Sequence, residues 1–136
     1  MAAKKKVTLG KTITGKEKAL KILSFALGKK AQDPIIIDIR SLSHFCDYFI
    51  LCSGTSQRHA RAIYEEVIKS SKKNKIGIHH CENDSSSSWL LVDYYDIIMH
   101  IFTEESREFY GIERLWREAK RIRIPKKVLG NTEFNS

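Results

Sequence analysis

Two carboxylates three positions apart, Asp93 and Asp96, sit inside an otherwise apolar run, WLLVDYYDIIMHIF (Trp89–Phe102). Paired carboxylates on one sheet face can hold magnesium for phosphoryl or nucleotidyl transfer. Upstream, Ser53-Gly54-Thr55-Ser56 falls between an apolar strand and a helix, where backbone N–H groups point at anions. The set is incomplete, because no third carboxylate shares the face and no lysine is placed for a triphosphate. A single glycine also matches neither the P-loop nor the dinucleotide spacing. A solvated hairpin tip or a partner contact therefore accounts for Asp93 and Asp96 better than catalysis does. A tight turn with a helix cap accounts for the SGTS stretch.

A second cluster, His79-His80-Cys81-Glu82, has metal-ligating residue types. Neighbours on a strand point to opposite faces, so His79 and Cys81 could share an ion that His80 and Glu82 could not reach. With no matching second cluster, no metal and no cofactor is expected. His100 has no serine or cysteine nucleophile placed beside it and reads as a packed or surface histidine. Trp89, Tyr94, Tyr95, Phe109, Tyr110 and Trp116 concentrate aromatics late in the chain. Tyr94 and Tyr95 stand at a hairpin tip where burial is hard, and exposed aromatics beside carboxylates resemble a protein-binding hot spot.

The elements that must position these groups follow from periodicity. Trp89–Phe102 reads as two β-strands around an acidic tip, its apolar residues running consecutively rather than at helical spacing. Pairing Val92 with Ile97, Leu91 with Ile98 and Trp89 with His100 puts Trp89, Leu91, Asp93, Asp96, Ile98 and His100 on one face. Leu90, Val92, Ile97, Met99 and Ile101 fall on the other, as core. A helix is expected from Lys16 to Lys30, with Thr14 and Glu17 as a capping box and Ala19, Leu20, Ile22, Leu23, Ala26 and Leu27 as its buried stripe. Strands follow at Ile35–Ile39 and Tyr48–Cys52, a turn of helix at Ser41–His44, and a helix at Gln57–Lys72 capped by Thr55 or Ser56. Ile76–His79 reads as a short edge strand, Cys81–Ser88 as a loop, and Thr103 as the cap of a further helix that bends at Gly111 before another short turn at Ile112–Trp116. The order is that of a single α+β domain: a mixed β-sheet with flanking helices packed largely on one face.

A chain of 136 residues buries a core without staples. Three cysteines with no CxxC pair indicate neither a disulfide framework nor a zinc ribbon, with Cys52 a core residue and Cys46 and Cys81 free thiols. No apolar run approaches a membrane span, and MAAKKKVTLGKTITGKEK has neither a signal core nor the arginine of a transit peptide. A cytoplasmic protein is expected, with a flexible basic arm at 1–14, the domain at 15–118 and a basic C-terminal tail at 119–136 whose last dozen residues are mobile. The net charge of +8 is concentrated at the two ends. Basic ends on a folded centre suit RNA phosphates, and equally suit solubility.

Asp47-Tyr48-Phe49-Ile50 with Ser53-Gly54-Thr55-Ser56, then Glu82, Trp89, Asp93-Tyr94-Tyr95-Asp96, His100, Arg107-Glu108-Phe109-Tyr110 and Leu115-Trp116, together resemble the ribosomal silencing factor family (RsfS, or Iojap). The resemblance spans Lys16 to Trp116. It implies a nucleotidyltransferase-like fold without the full catalytic set. The implied function is a non-enzymatic translation repressor that binds the large ribosomal subunit through protein L-fourteen and blocks subunit joining when nutrients are short. The partner-binding residues it implies are Tyr48, Glu82, Trp89, Asp93, Tyr94, Asp96, His100, Arg107 and Tyr110. Ribosomal RNA at the basic termini and a homodimer of the free protein are further expected contacts. The competing reading is a metal-dependent nucleotidyltransferase-like enzyme using Asp93 and Asp96. Family members carry glycine where this chain has Asn83 and Tyr95. The first change is mild, but a tyrosine at positive φ is strained, so a different turn is expected at the tip. The tail beyond Trp116 matches no motif of the family.

Overall fold

The structure is a computed structural model and describes residues 13–83 and 85–134. The expected N-terminal arm falls almost wholly outside them. Helix α1 (Gly15–Leu27) is followed by β1 (Gln32–Asp38), β2 (Tyr48–Gly54) and α2 (Gln57–Lys73). Then come β3 (His80–Asn83), β4 (Trp89–Asp93), β5 (Ile97–Thr103), α3 (Glu104–Tyr110), α4 (Ile112–Leu115), β6 (Lys120–Arg121) and α5 (Lys126–Phe134). Among the described residues the strands form one six-stranded sheet in the order β3-β4-β5-β2-β1-β6. The β2–β5 pair is parallel and the other pairs are antiparallel, so the mixed α+β sheet expected from the pattern is the one observed.

The sheet is covered along one face and only in part on the other. On one face Ile36, Tyr48, Ile50, Cys52, Leu90, Val92, Ile97, Met99 and Ile101 pack under α1 and α2. The buried stripe of α1 is Ala19, Ile22, Leu23, Ala26 and Leu27, and that of α2 is Ala60, Ile63, Tyr64 and Val67. On the other face Ile37, Ile39, Leu51 and Phe102 form a smaller core with Phe49, Ile112 and Trp116. The helices are therefore not confined to one face: the segment after Gly111, at φ +59°, turns back to cover the β1–β2 half of the second.

Gly54 shows why the SGTS stretch has its composition. A Cβ there would lie 2.6 Å from the Ala60 nitrogen and 2.8 Å from its Cα, so only glycine lets α2 start this close to β2. Ser56 is the N-cap, its Oγ accepting the His59 N–H at 3.0 Å. The Thr55 N–H donates to His59 Nδ1 at 2.9 Å, which leaves the proton on Nε2, 2.7 Å from the Lys29 carbonyl. His59 thus ties the start of α2 to the end of α1, and the junction is a turn and cap.

Several boundaries differ from the sequence reading. Thr14 makes no side-chain cap bond, because Gly15 enters α1 at φ +63° and the capping-box geometry never forms. The edge strand is His80–Asn83 rather than Ile76–His79: the open backbone of β4 recruits a partner from a polar stretch of low β-propensity, pairing His80 with Asp93 and Glu82 with Leu91. The hairpin register is Leu91 opposite His100 and Trp89 opposite Phe102, two residues from that expected. A shift of two preserves face parity, which is why the core assignment of Leu90, Val92, Ile97, Met99 and Ile101 stands. The segment after Trp116 is no loose tail. β6 pairs with β1, the Ile122 N–H reaches the Ile36 carbonyl at 2.9 Å, and Val128 and Leu129 of α5 pack against the main core.

At the hairpin tip Tyr95 keeps the left-handed conformation, at φ +78°, rather than a different turn. Two contacts offset the strain. Asp93 Oδ1 accepts the Tyr95 N–H at 2.7 Å, and the ring stacks on His79 with centroids 3.8 Å apart. A left-handed L-residue costs about 1–2 kcal/mol that glycine avoids. Tyr95→Gly is therefore expected to be more stable than Tyr95→Ala by about 1 kcal/mol in urea denaturation, both having lost the stack equally; equal stabilities would contradict a strained tip.

Candidate functional site: an aromatic and acidic sheet face

The second face of the β3–β4–β5 half gathers the groups of interest. Residues directly opposite in register share a face, so Glu82, Leu91, His100 and Leu51 lie in one row across β3, β4, β5 and β2. His80, Asp93, Ile98 and Phe49 form the row beside it, and Trp89 and Phe102 the row on its other side. Trp89, Leu91, Asp93 and Ile98 are half-buried, while His80 and Glu82 are exposed and in contact at 3.1 Å.

At the centre is a packed aromatic group. Trp89 Nε1 donates to His100 Nδ1 at 3.1 Å, and its ring lies 4.5 Å from Tyr110 and 5.1 Å from Phe102. Phe49 meets His100 edge-on at 4.8 Å and Trp116 at 5.5 Å. His100 is 5% exposed, and burial pulls its pKa down to about 4, so it is neutral. Because Nδ1 accepts from Trp89, the proton is on Nε2, which has no acceptor among the described residues. A neutral ring with one nitrogen committed to tryptophan and no nucleophile beside it is a packing group. Outside this cluster lie Phe109 and Tyr110, 77% and 45% exposed.

Of the nine residues expected to bind a partner, five are brought together here: Glu82, Trp89, Asp93, His100 and Tyr110. Four are not. Tyr94 is 2% exposed, its hydroxyl 2.8 Å from Ser71 Oγ of α2, so it is core rather than an exposed hot-spot aromatic. Asp96 turns to α1 and pairs with Lys18 at 2.9 Å. Tyr48 is buried in the α1–α2 core beneath the Arg40 guanidinium, 5.3 Å away. Arg107 is an internal clamp: Nε bonds Glu113 at 2.7 Å, while Nη1 reaches the Asp33 carbonyl at 2.8 Å and Ser53 Oγ at 2.9 Å. Asp33 lies in the irregularity of β1 between Gln32 and Ile35, at φ +49°. Arg107 thereby locks α3 and α4 to the ends of β1 and β2.

The expected pairing of Asp93 with Asp96 on one face is therefore not realised. Asp93 is spent on the Tyr95 turn and Asp96 on Lys18, because the tip between β4 and β5 sends successive side chains in different directions. The histidine cluster is likewise divided, His79 stacking on Tyr95 while His80 meets Glu82. Among the described residues no three histidine, cysteine, aspartate or glutamate side chains gather as a metal site would require. Burial raises the thiol pKa of Cys52 to about 12 and of Cys46 to about 11, so neither is a ready nucleophile. Leu91 and Ile98 were legible from strand parity, but Phe109 was not, since its α3 carries no apolar stripe that would mark an inner side.

These features define an α+β domain: a mixed six-stranded sheet with flanking helices, its carboxylates divided and one aromatic face half-open. The chain belongs to the ribosomal silencing factor family: it matches the family described as "Ribosomal silencing factor during starvation" over residues 12–135, a range that includes β6 and α5. It is 33% identical over 91 residues to the ribosomal silencing factor RsfS of Bacillus subtilis, covering 67% of this chain and 77% of that one. It is 31% identical over 98 residues to the mouse protein named "Mitochondrial assembly of ribosomal large subunit protein 1", covering 70% of this chain and 43% of that one. A crystal structure from Chromobacterium violaceum superposes with a TM-score of 0.70 at 29% identity, covering 76% of this chain and 87% of the other. One from Bacillus halodurans gives 0.68 at 27% identity, covering 79% and 98%. No helix of the described residues is long and apolar enough to cross a membrane.

Two measurements test the site's physics. A histidine whose folded pKa lies below its unfolded value of about 6.5 takes up protons on unfolding, so stability is full above pH 6.5 and is lost as pH falls through 4. Stability is expected to fall by about 3 kcal/mol more between pH 7 and pH 4 than in His100→Phe, measured by urea denaturation at each pH. Arg107→Ala strips three polar partners at once and is expected to cost about 2–3 kcal/mol by the same method, with Arg107→Lys only a partial rescue.

Proposed function

We propose that this chain is a ribosomal silencing factor that docks on the large ribosomal subunit at protein L-fourteen, obstructs subunit joining and so represses translation under nutrient limitation. The observation that carries the reading is the half-open sheet face, where Trp89, Leu91, Asp93 and Ile98 are rimmed by the exposed Phe109, Tyr110 and Glu82, on a chain of this family. Rigid aromatics around a desolvated centre with carboxylates at the rim suit a basic protein partner. The relative named for large-subunit assembly supports the choice of subunit. The role is a cytoplasmic one and requires no catalysis. In the free protein the same face suits burial against a second copy, the symmetric arrangement by which a self-complementary patch is hidden.

Leu91→Lys with Phe109→Lys places two cations on this face without touching the core. The double variant is expected to stop co-sedimenting with purified large subunits, losing at least ten-fold in affinity, while its thermal melt stays within a few degrees of the parent. Undiminished pelleting would remove the face from the interface. If saturable magnesium-dependent nucleotide binding appeared in titration calorimetry and vanished in Asp93→Asn, the enzymatic reading would replace this one.

A further inference from the structure

The opposite edge of the sheet carries a second, chemically different surface. Between Arg117 and Gly130 there are six basic residues (Arg117, Lys120, Arg121, Arg123, Lys126 and Lys127) and one acidic residue, Glu118. In a loose tail this would be a solubilising run, but the segment is anchored. β6 extends the sheet beside β1, and Ile122, Ile124, Val128 and Leu129 turn inward against the main core. The cations are what is left outside.

Lysines and arginines on an edge strand also deter edge-to-edge aggregation. That accounts for Lys120 and Arg121, each of which faces a carboxylate: Lys120 is opposite Asp38 in the ladder and Arg121 lies 3.6 Å from Glu113. It does not account for Arg123, Lys126 and Lys127, which lie beyond the strand, are exposed and have no ion-pair partner among the described residues. Two of them are also badly placed for their own helix. Lys126 and Lys127 stand in the first turn of α5 with no acidic residue there, where the helix dipole disfavours positive charge. Three unneutralised cations held on ordered backbone have lost part of the entropy a mobile lysine would forfeit on binding a polyanion.

We propose that Arg123, Lys126 and Lys127 form a sequence-independent contact for the phosphate backbone of RNA. β6 is four strand positions from β4, about 19 Å at the usual strand spacing, so this contact and the aromatic face can be occupied together. Naming ribosomal RNA as the source rests on the proposed ribosomal role; RNA binding itself does not. A protein contact at one site and a phosphate contact at the other would add through effective concentration, without either needing high affinity alone.

The test uses the full chain and a fluorescein-labelled RNA hairpin with a single-stranded flank, read by fluorescence anisotropy from 50 to 200 mM salt. Each neutralised phosphate on a single strand contributes about 0.7 to the slope of log K against log salt. The triple variant Arg123→Gln, Lys126→Gln, Lys127→Gln is expected to lower that slope by about 2 and to weaken binding at least ten-fold at 100 mM salt. It keeps Ile122, Ile124, Val128 and Leu129, so an unchanged thermal melt certifies the fold. Parental affinity and slope in the triple variant would overturn the proposal. So would loss of hairpin binding only when Lys4, Lys5, Lys6 and Lys11 are replaced, or equal, triple-sensitive binding to phosphatidylglycerol vesicles. Leu91→Lys with Phe109→Lys should not weaken binding to the hairpin, which separates failure here from failure of the docking face.

Discussion

The parallel pairing of β2 with β5 is the constraint on which the rest of this fold depends. It runs unbroken from Tyr48 opposite Ile97 to Gly54 opposite Thr103 and joins two antiparallel halves that would otherwise be separate ribbons. A parallel pair cannot be closed by a tight turn, so the chain must cross over between them, and α2 with β3 and β4 fills that crossover. The pairing is anchored at its start, where the Asp96 carbonyl accepts the N–H groups of both Asp47 and Tyr48. The Asp96 carboxylate meanwhile holds Lys18 of α1. One residue at the hairpin tip thus links the tip, the central strands and the first helix.

With β5 fixed next to β2, the second face is fixed too. His100 comes to lie between Leu91 and Leu51, under the edge of Phe49, with Trp89 able to donate to it. Such a cluster is stiff, because the Trp89 indole N–H is spent on His100 Nδ1 and the rings pack against one another, Phe49 edge-on to His100. Stiffness suits recognition: side chains that are already ordered lose little entropy when a partner arrives. The Arg107 clamp adds to that stiffness, since α3, which carries Phe109 and Tyr110, is a seven-residue helix with no buried residue of its own.

The departures from the sequence reading share one origin. Asp93 and Asp96 were expected to act together because they are close in sequence on an apolar hairpin, and they diverge because a turn does not keep the strand's alternation. Tyr94 was expected outside because tips are exposed, and it is inside because α2 lies over the tip and offers Ser71 as a partner for its hydroxyl. Arg107 sits in a motif of the family and looked like a contact residue, yet three of its donors are consumed within the chain. The segment after Trp116 looked disordered because it is basic and lacks periodicity, whereas four apolar side chains and one free sheet edge suffice to seat it.

What the sequence by itself determined was everything governed by local periodicity and steric class: the α+β composition, the buried stripe of α1, the core face of the hairpin, the cap at Thr103 and the turn at Gly54. It also carried the family, because an ordered set of motifs survives where single residues do not. Only the tertiary structure decided which polar side chains are free to meet a partner. Availability depends on what other elements bring alongside: Lys18 to Asp96, Ser71 to Tyr94, Glu113 and Asp33 to Arg107. Those partners are distant in sequence, and the strand parity that sorts faces says nothing about them.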